Sequence, residues 1–318
     1  MNSSFEWFMG VIEDRIDPEK LNRVKVRCFG IHDESISLIP TEDLPWATVM
    51  LPTTSSGMNG LQSTPHGLVE GSWVVGFFRD GNGYQDPVVM GSIASMPMTA
   101  PVAELGFNDP NLKYPKETHL EESDVNRLAR AEDTEEDIPT LKKDSVTKEI
   151  PTATDQQWDE PETPYAPEYP FNKVYESESG HIFEIDDTEG VERLHEYHRT
   201  GTFREVHPDG SVVTRVVKDT YEIVYGNSFV NVKGNVSLTI DSNCETYIKG
   251  NWDIKVDGNV TQTIGGTLTE EVAGDVTETY NSNQTTKVSS NVNEDFGGTQ
   301  TTKAGGNIDI DASKVFIN

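Results

Sequence analysis

The chain has 318 residues, with 54 acidic against 25 basic side chains and a formal net charge of −29. A surface that negative repels phosphate backbones and anionic headgroups, which excludes nucleic acid as an expected partner. Only 34% of residues are hydrophobic, so the length divides into smaller units rather than one large core.

Residues 1–98 carry five short apolar runs rich in Val, Ile, Phe and Trp: Trp7 to Ile12, Val24 to Ile31, Trp46 to Leu51, Trp73 to Phe78 and Val88 to Ile93. Turn residues separate them, among them Asp17-Pro18, Asp80-Gly81-Asn82-Gly83 and Asp86-Pro87. Five such strands in about 100 residues predict a small closed β-barrel of the OB class. The N-terminus has no basic region followed by an apolar one, and no run approaches the roughly 18 apolar residues of a membrane span, so a soluble protein made in a cytoplasm is expected. Cys28 and Cys244 match no metal spacing or disulfide framework and read as small buried hydrophobes.

Residues 99–170 change character. Nine of the chain's 17 prolines fall between positions 101 and 170, together with 18 acidic and 7 basic residues. The run Glu132-Asp133-Thr134-Glu135-Glu136-Asp137 carries no apolar side chain and reads as a solvated charge run in an extended linker. A short helix is expected near Glu121 to Ala131. Residues 171–220 return to strand-like alternation, in His181 to Ile185 and Thr202 to Val206. Hairpin turns are expected at Asp186 to Gly190 and His207 to Ser211.

From residue 221 to the C-terminus a period of eight takes over. Gly226, Gly234, Ser242, Gly250, Gly258, Gly266, Gly274, Ser282, Ser290, Gly298 and Gly306 are all Gly or Ser. Two residues before them stand Val224, Val232, Ile240, Ile248, Val256, Ile264, Val272, Tyr280, Val288, Phe296 and Ala304. Two residues after them, eight of eleven are apolar or Cys: Val236, Cys244, Trp252, Val260, Leu268, Val276, Val292 and Ile308. Residues two apart share one face of a strand, so each octad makes a one-sided strip. Gly and the Asn that usually follows it tolerate left-handed backbone, which predicts one corner per octad. Such a strip leaves its apolar face and both backbone edges unpaired. Three copies wound about one axis cover all of them, which predicts an intertwined triple-stranded β-helix with the apolar column from Val224 to Phe296 as the trimer core. A chance Thr/Asn/Gly-rich stretch fails on eleven octads in register, and a calcium-binding nonapeptide array fails on period.

Candidate chemistry is sparse. A glycosidase needs two carboxyls on a rigid cleft, and the acidic run offers no such context. His195 and His198, three apart on a strand, point to opposite faces and cannot share a metal within one chain. No catalytic residue, metal ligand or cofactor is assigned. Gln262, Gln284 and Gln300 put polar groups in the inward register of the distal half.

The residues Trp7 to Pro18, Asn22 to Arg27, Ile39 to Trp46, Val69 to Ser72 and Met90 to Ser92, with Glu176 to His181, Arg193 to His198 and the octads, resemble the central spike proteins of contractile-phage baseplates of the T-even kind. The resemblance implies an OB barrel docked on a separate ring-shaped hub protein, a homotrimeric β-helical needle, and a small tip-capping (PAAR-like) protein seated on Val315, Phe316 and Ile317. It implies a place in the virion tail baseplate and transient passage through the host outer membrane. Two departures stand out: position 22 is Asn where Gly is common, and the short acidic linker occupies the place of a lysozyme domain. The alternatives are a spike with residual peptidoglycan hydrolase activity and a receptor-binding tail fibre.

Overall fold

The computed structural model describes residues 5–61, 65–132 and 138–315. The chain divides into two compact units, residues 1–244 and 245–318.

In the first unit, β1 (Glu6–Asp14), β2 (Arg23–Cys28), β3 (Trp46–Val49), β4 (Trp73–Phe78) and β5 (Pro87–Ser92) close a barrel in the order β1-β2-β3-β5-β4. These are the five apolar runs of the sequence. β1 is nine residues long, pairs antiparallel with both β2 and β4, and bends at a register shift between Ile12 and Asp14. A parallel pairing of β3 with β5 completes the ring. Gly76 on β4 is required by close approach, because a side chain there would run into the Val88 carbonyl and the Phe8 ring. The interior is filled by Phe8, Ile12, Val24, Val26, Cys28, Ala47, Val74, Phe78 and Val89. Burial pushes the Cys28 thiol up to about 12, which keeps it an inert packing group. In the β1–β2 turn the Asp17 carboxylate accepts the backbone N–H groups of Glu19, Leu21 and Arg23. Asn22 sits there at φ 62°, a left-handed position that Asn tolerates better than most side chains.

One ion pair lies wholly inside this half. Arg27 Nε donates to Glu13 Oε1 at 2.6 Å, and Nη2 donates to Oε2 at 3.0 Å. The remaining guanidinium donors reach the carbonyls of Asp33 and Ile39, while Glu13 also accepts from Thr41 Oγ1 and the Phe107 N–H. The pair therefore fastens two loops to the barrel and has its hydrogen-bonding capacity filled, the condition under which buried charges are tolerated.

The acidic, proline-rich segment is irregular for most of its length but holds several short elements. In place of a helix over Glu121 to Ala131 there is a single 3₁₀ turn, Leu128–Arg130, whose last neighbour Ala131 is left-handed at φ 58°. Asn126 Oδ1 takes the Leu128 N–H and competes with continued helix. An α-helix, α1 (Ile138–Asp144), follows, and β6 (Ile150–Pro151) pairs with β7 (Gln157–Trp158). Of the acidic run, residues 133–137 lie outside the described residues.

Beyond it, β8 (Asn172–Glu176), β9 (Ile182–Asp186), β10 (Arg193–Tyr197), β11 (Phe203–Val206) and β12 (Val212–Arg215) form an antiparallel meander. The expected turns connect β9 to β10 and β11 to β12, with Gly190 and Gly210 at φ 83° and 84°.

From residue 217 the backbone bends in pairs that recur every eight residues, at 225–226, 233–234, 241–242 and onward to 305–306. Each pair ends on the Gly or Ser of an octad. The corner is thus real, but its expected chemistry is not: no octad glycine has a positive φ, and nothing of the same chain lies within 4 Å of where its Cβ would stand. No strand ladder forms within these residues. Cys244, expected to be buried, is exposed, because it belongs to an octad column that its own chain does not cover.

Candidate functional site

The octad columns are apolar and uncovered. The side chains two residues before each corner, from Val224 to Phe296, are 42–59% exposed. Those two residues after it, such as Val236, Trp252, Val260 and Leu268, reach 59–74%. Uncovered aliphatic residues spaced this regularly form an unsatisfied face rather than a scatter of surface residues. Val315 is 51% exposed; Phe316 and Ile317 lie outside the described residues.

The meander presents two unlike faces. Its uncovered face carries Tyr175, Phe183, Ile185, Leu194 and Val212, all exposed. Its covered face carries Asn172, Ile182, Glu184, Asp186, Arg193, His195, Tyr197, Phe203, Glu205 and Val213, all buried. Charges thus lie under cover, and the apolar row shares the uncovered face with the exposed Lys173, Glu196 and Arg204. Leu128, Ile138 and Tyr165 of the preceding segment pack against the few apolar members of the covered face.

The buried charges form one connected network. Arg193 Nη2 donates to Glu184 Oε1 at 2.8 Å, and Nη1 donates to Glu205 Oε1 at 2.9 Å. His195 Nδ1 lies 2.6 Å from Glu184 Oε2, and its Nε2 lies 3.2 Å from Lys142 Nζ. Lys142 comes from α1, is 5% exposed, sits 2.8 Å from Glu205 Oε2 and stands over the Phe203 ring at 4.0 Å. Asn172 Nδ2 and Thr163 Oγ1 donate to the two carboxylates, and His207 Nε2 lies 3.2 Å from Glu205. Burial by itself would raise the Glu184 carboxyl; the hydrogen bond from His195 and the Arg193 charge outweigh it and hold it at about 2. Burial likewise opposes ionisation of Glu205, and Lys142 and Arg193 bring it down to about 2. His195 is lowered from 6.5, first by burial and then by the Lys142 and Arg193 charges, against the pull of Glu184. The network is therefore neutral in sum: two carboxylates, Lys142, Arg193 and an uncharged imidazole.

This geometry holds charges in place beneath the covering segment. Among the described residues no cluster of three or more His, Cys, Asp or Glu side chains is placed to hold a metal ion, and no helix is long and apolar enough to cross a membrane. His195 is buried and His198 exposed, on opposite faces as their spacing requires. Sequence reasoning missed the network because Glu184, His195 and Glu205 read as the solvent side of an amphipathic sheet. The signal was there in the alternate positions, where Phe183, Ile185 and Leu194 occupy the other face.

A second ionic junction joins the parts of this half. Glu178, in the β8–β9 turn, meets Arg15 of the barrel, Lys113 and the Tyr114 hydroxyl at 2.7–3.1 Å. Its carboxyl is held at about 2, mainly by the hydrogen bonds from Arg15 and Lys113.

Comparison with known proteins agrees with this layout. The Gp5 N-terminal OB domain family matches residues 30–172. Protein Gp5 of Vibrio phage KVP40 is 46% identical over 275 residues, covering 76% of this chain and 65% of that protein. The pre-baseplate central spike protein Gp5 of Enterobacteria phage T4 is 39% identical over 121 residues, which cover 36% of this chain and 21% of that protein. The chain therefore spans just under two thirds of the first relative and about a fifth of the second. The chain is thus similar to Gp5 proteins of phages KVP40 and T4 over part of their length, and part of it matches the Gp5 N-terminal OB domain family.

Proposed function

We propose that three copies of this chain assemble into the central spike of a contractile phage tail baseplate, and that the spike works mechanically rather than as an enzyme. The observation that carries the reading is the octad column from Val224 to Phe296: apolar, in strict register, and left uncovered by its own chain. Three chains about one axis bring these columns together and give every backbone edge a partner. The corner residues support the same assembly. Neither a positive φ nor a neighbour in the same chain explains why they are all Gly or Ser, so the need for a small residue belongs to the approach of another chain. The outward apolar row of the meander, Tyr175, Phe183, Ile185, Leu194 and Val212, is a second uncovered face that further copies of the chain can cover, and its charged face stays under the cover of residues 138–165.

In this reading residues 1–98 dock on a ring-shaped hub, residues 99–170 connect barrel to needle, residues 171–220 begin the prism, and residues 221–318 form the β-helix. The apolar side chains Val315, Phe316 and Ile317 receive a small tip protein, and sheath contraction drives the needle through the host outer envelope. The acidic exterior limits adhesion to other acidic surfaces on the way.

The test is the solution mass of the purified chain by light scattering, before and after heating in detergent. The expected particle has a mass close to three times 35.3 kDa and survives detergent at room temperature. A monomer would remove both the needle and the mechanical role.

A further inference from the structure

The buried network has a property that a spike does not require: it holds one segment of chain onto the sheet through a single inserted ammonium group beside an imidazole. We propose that residues 138–165 are a strap latched to the charged face of the meander by Lys142, and that protonation of His195 releases the latch.

The latch is Lys142 Nζ, 2.8 Å from Glu205 Oε2 and 3.2 Å from His195 Nε2. Because Nδ1 of the same imidazole faces Glu184 Oε2 at 2.6 Å, the neutral ring donates from Nδ1 and accepts the Lys142 proton at Nε2. A proton added to His195 must go on Nε2. There it replaces an acceptor with a donor and sets a second positive charge 3.2 Å from the ammonium group.

Every charged neighbour of His195 is already committed. On β9, Glu184 also receives Arg193 and Asn172. On β11, Glu205 receives Arg193, Lys142 and Thr163, with His207 beside it. On β10, Arg193 is itself a cation. The strap supplies Lys142 and no carboxylate to this cluster. The Tyr197 and Phe203 rings flank the imidazole at 5.8 and 6.0 Å, and His195 itself is buried. A buried pair of like charges at this distance is relieved by moving the one on the more weakly held element. That element is α1, seven residues long, rather than a central strand of a five-stranded sheet.

The direction with pH follows from linkage. In the latched state His195 holds its proton less readily than its ordinary value of 6.5, so latching is complete above that pH and weakens as pH falls below it. The opening equilibrium rises by up to about tenfold for each pH unit below about 6.5. Glu184 and Glu205, at about 2, stay ionised throughout this window. The strap has other ties to the sheet, from Glu160 and Ser145 to Arg215, from Thr163 to Glu205, and through the Tyr165 ring beneath Arg193.

Hydrogen–deuterium exchange of the full chain at pH 7.5 and pH 5 tests the latch, read as protection factors so that the intrinsic pH dependence of exchange divides out. The amides of α1 and of residues 145–147 are expected to lose protection at pH 5, by up to about thirtyfold, while the amides of β9 and β10 keep theirs. His195→Gln should abolish that step and keep the strap protected at both pH values. Lys142→Met, which preserves packing on Phe203 without the charge, should also remove the step, and it keeps the test available if the glutamine variant fails to fold. Equal strap protection at both pH values in the unmodified chain, a step that persists in either variant, or parallel loss of protection in β9 and β10 would overturn the proposal.

Discussion

In the barrel, Phe8, Ile12, Val24, Val26 and Val74 are all buried, because β1 is paired on both edges and the sheet curls until its apolar face meets itself. In the octads, Ile240, Ile248 and Ile264 are the same kind of side chain, yet they stay 42–45% exposed. The chain bends every eight residues, and among the described residues no octad segment pairs with another. The contrast shows that period-two patterning fixes which face is apolar but not whose surface will cover it. The return path decides that: hairpins and a parallel closure in the barrel, repeated corners in the octads. On the proposed assembly, the barrel's stability is a property of one chain, while the needle's depends on the concentration of copies.

The largest expected effect comes from charging the octad column. Ile248→Asp with Ile264→Asp should abolish the trimer in light scattering and leave the barrel's near-ultraviolet circular dichroism unchanged; loss of both signals together would mean the two regions fold as one. Next comes the barrel's internal ion pair. Glu13→Ala leaves the Arg27 guanidinium buried without its counter-charge and should cost about 3–5 kcal/mol, seen as a fall in the denaturant midpoint of the barrel with the oligomeric mass intact.

Acid sharpens the comparison further. Glu184 and Glu205 are ionised in the folded sheet down to about 2, against an ordinary 4.5. Their contribution is present above pH 4.5 and is lost as pH falls from there towards 2. Amide exchange across β9 to β11 should accelerate through that window, and an unchanged protection factor at pH 3 would count against the network as described. The smallest effect belongs to the half-exposed Arg79–Asp86 pair at 2.6 Å. Arg79→Ala should change stability by less than about 1 kcal/mol by chemical denaturation, since exposed pairs are screened by water and salt.

Much of this architecture was readable before any coordinates. The five barrel strands lie where Val, Ile, Phe and Trp cluster between turn residues, and the bends fall on the Gly and Ser positions of the octads, because local chemistry and the final fold agree at those places. What escaped was non-local. Nothing in the spacing of Glu13 and Arg27 says that they meet beneath loops on the barrel wall, and nothing in that of Glu184, His195 and Glu205 says that they are covered. Their burial follows from a segment that arrives from elsewhere in the chain and lies on them. Lys142 was overlooked for the same reason, as one cation in a stretch read by its overall acidity. The left-handed corner was inferred from what Gly permits, whereas no octad glycine has a positive φ.

The agreement between bend spacing and sequence period makes length a countable quantity. Removing eight residues deletes one wall and one corner and leaves every remaining side chain on the face it had before. Removing seven moves each later residue to the opposite face, and removing four exchanges corners for walls. A shaft built this way can be lengthened or shortened by gene-level insertion or deletion in whole octads with no redesign of its cross-section, so its reach can be adjusted independently of the parts at either end.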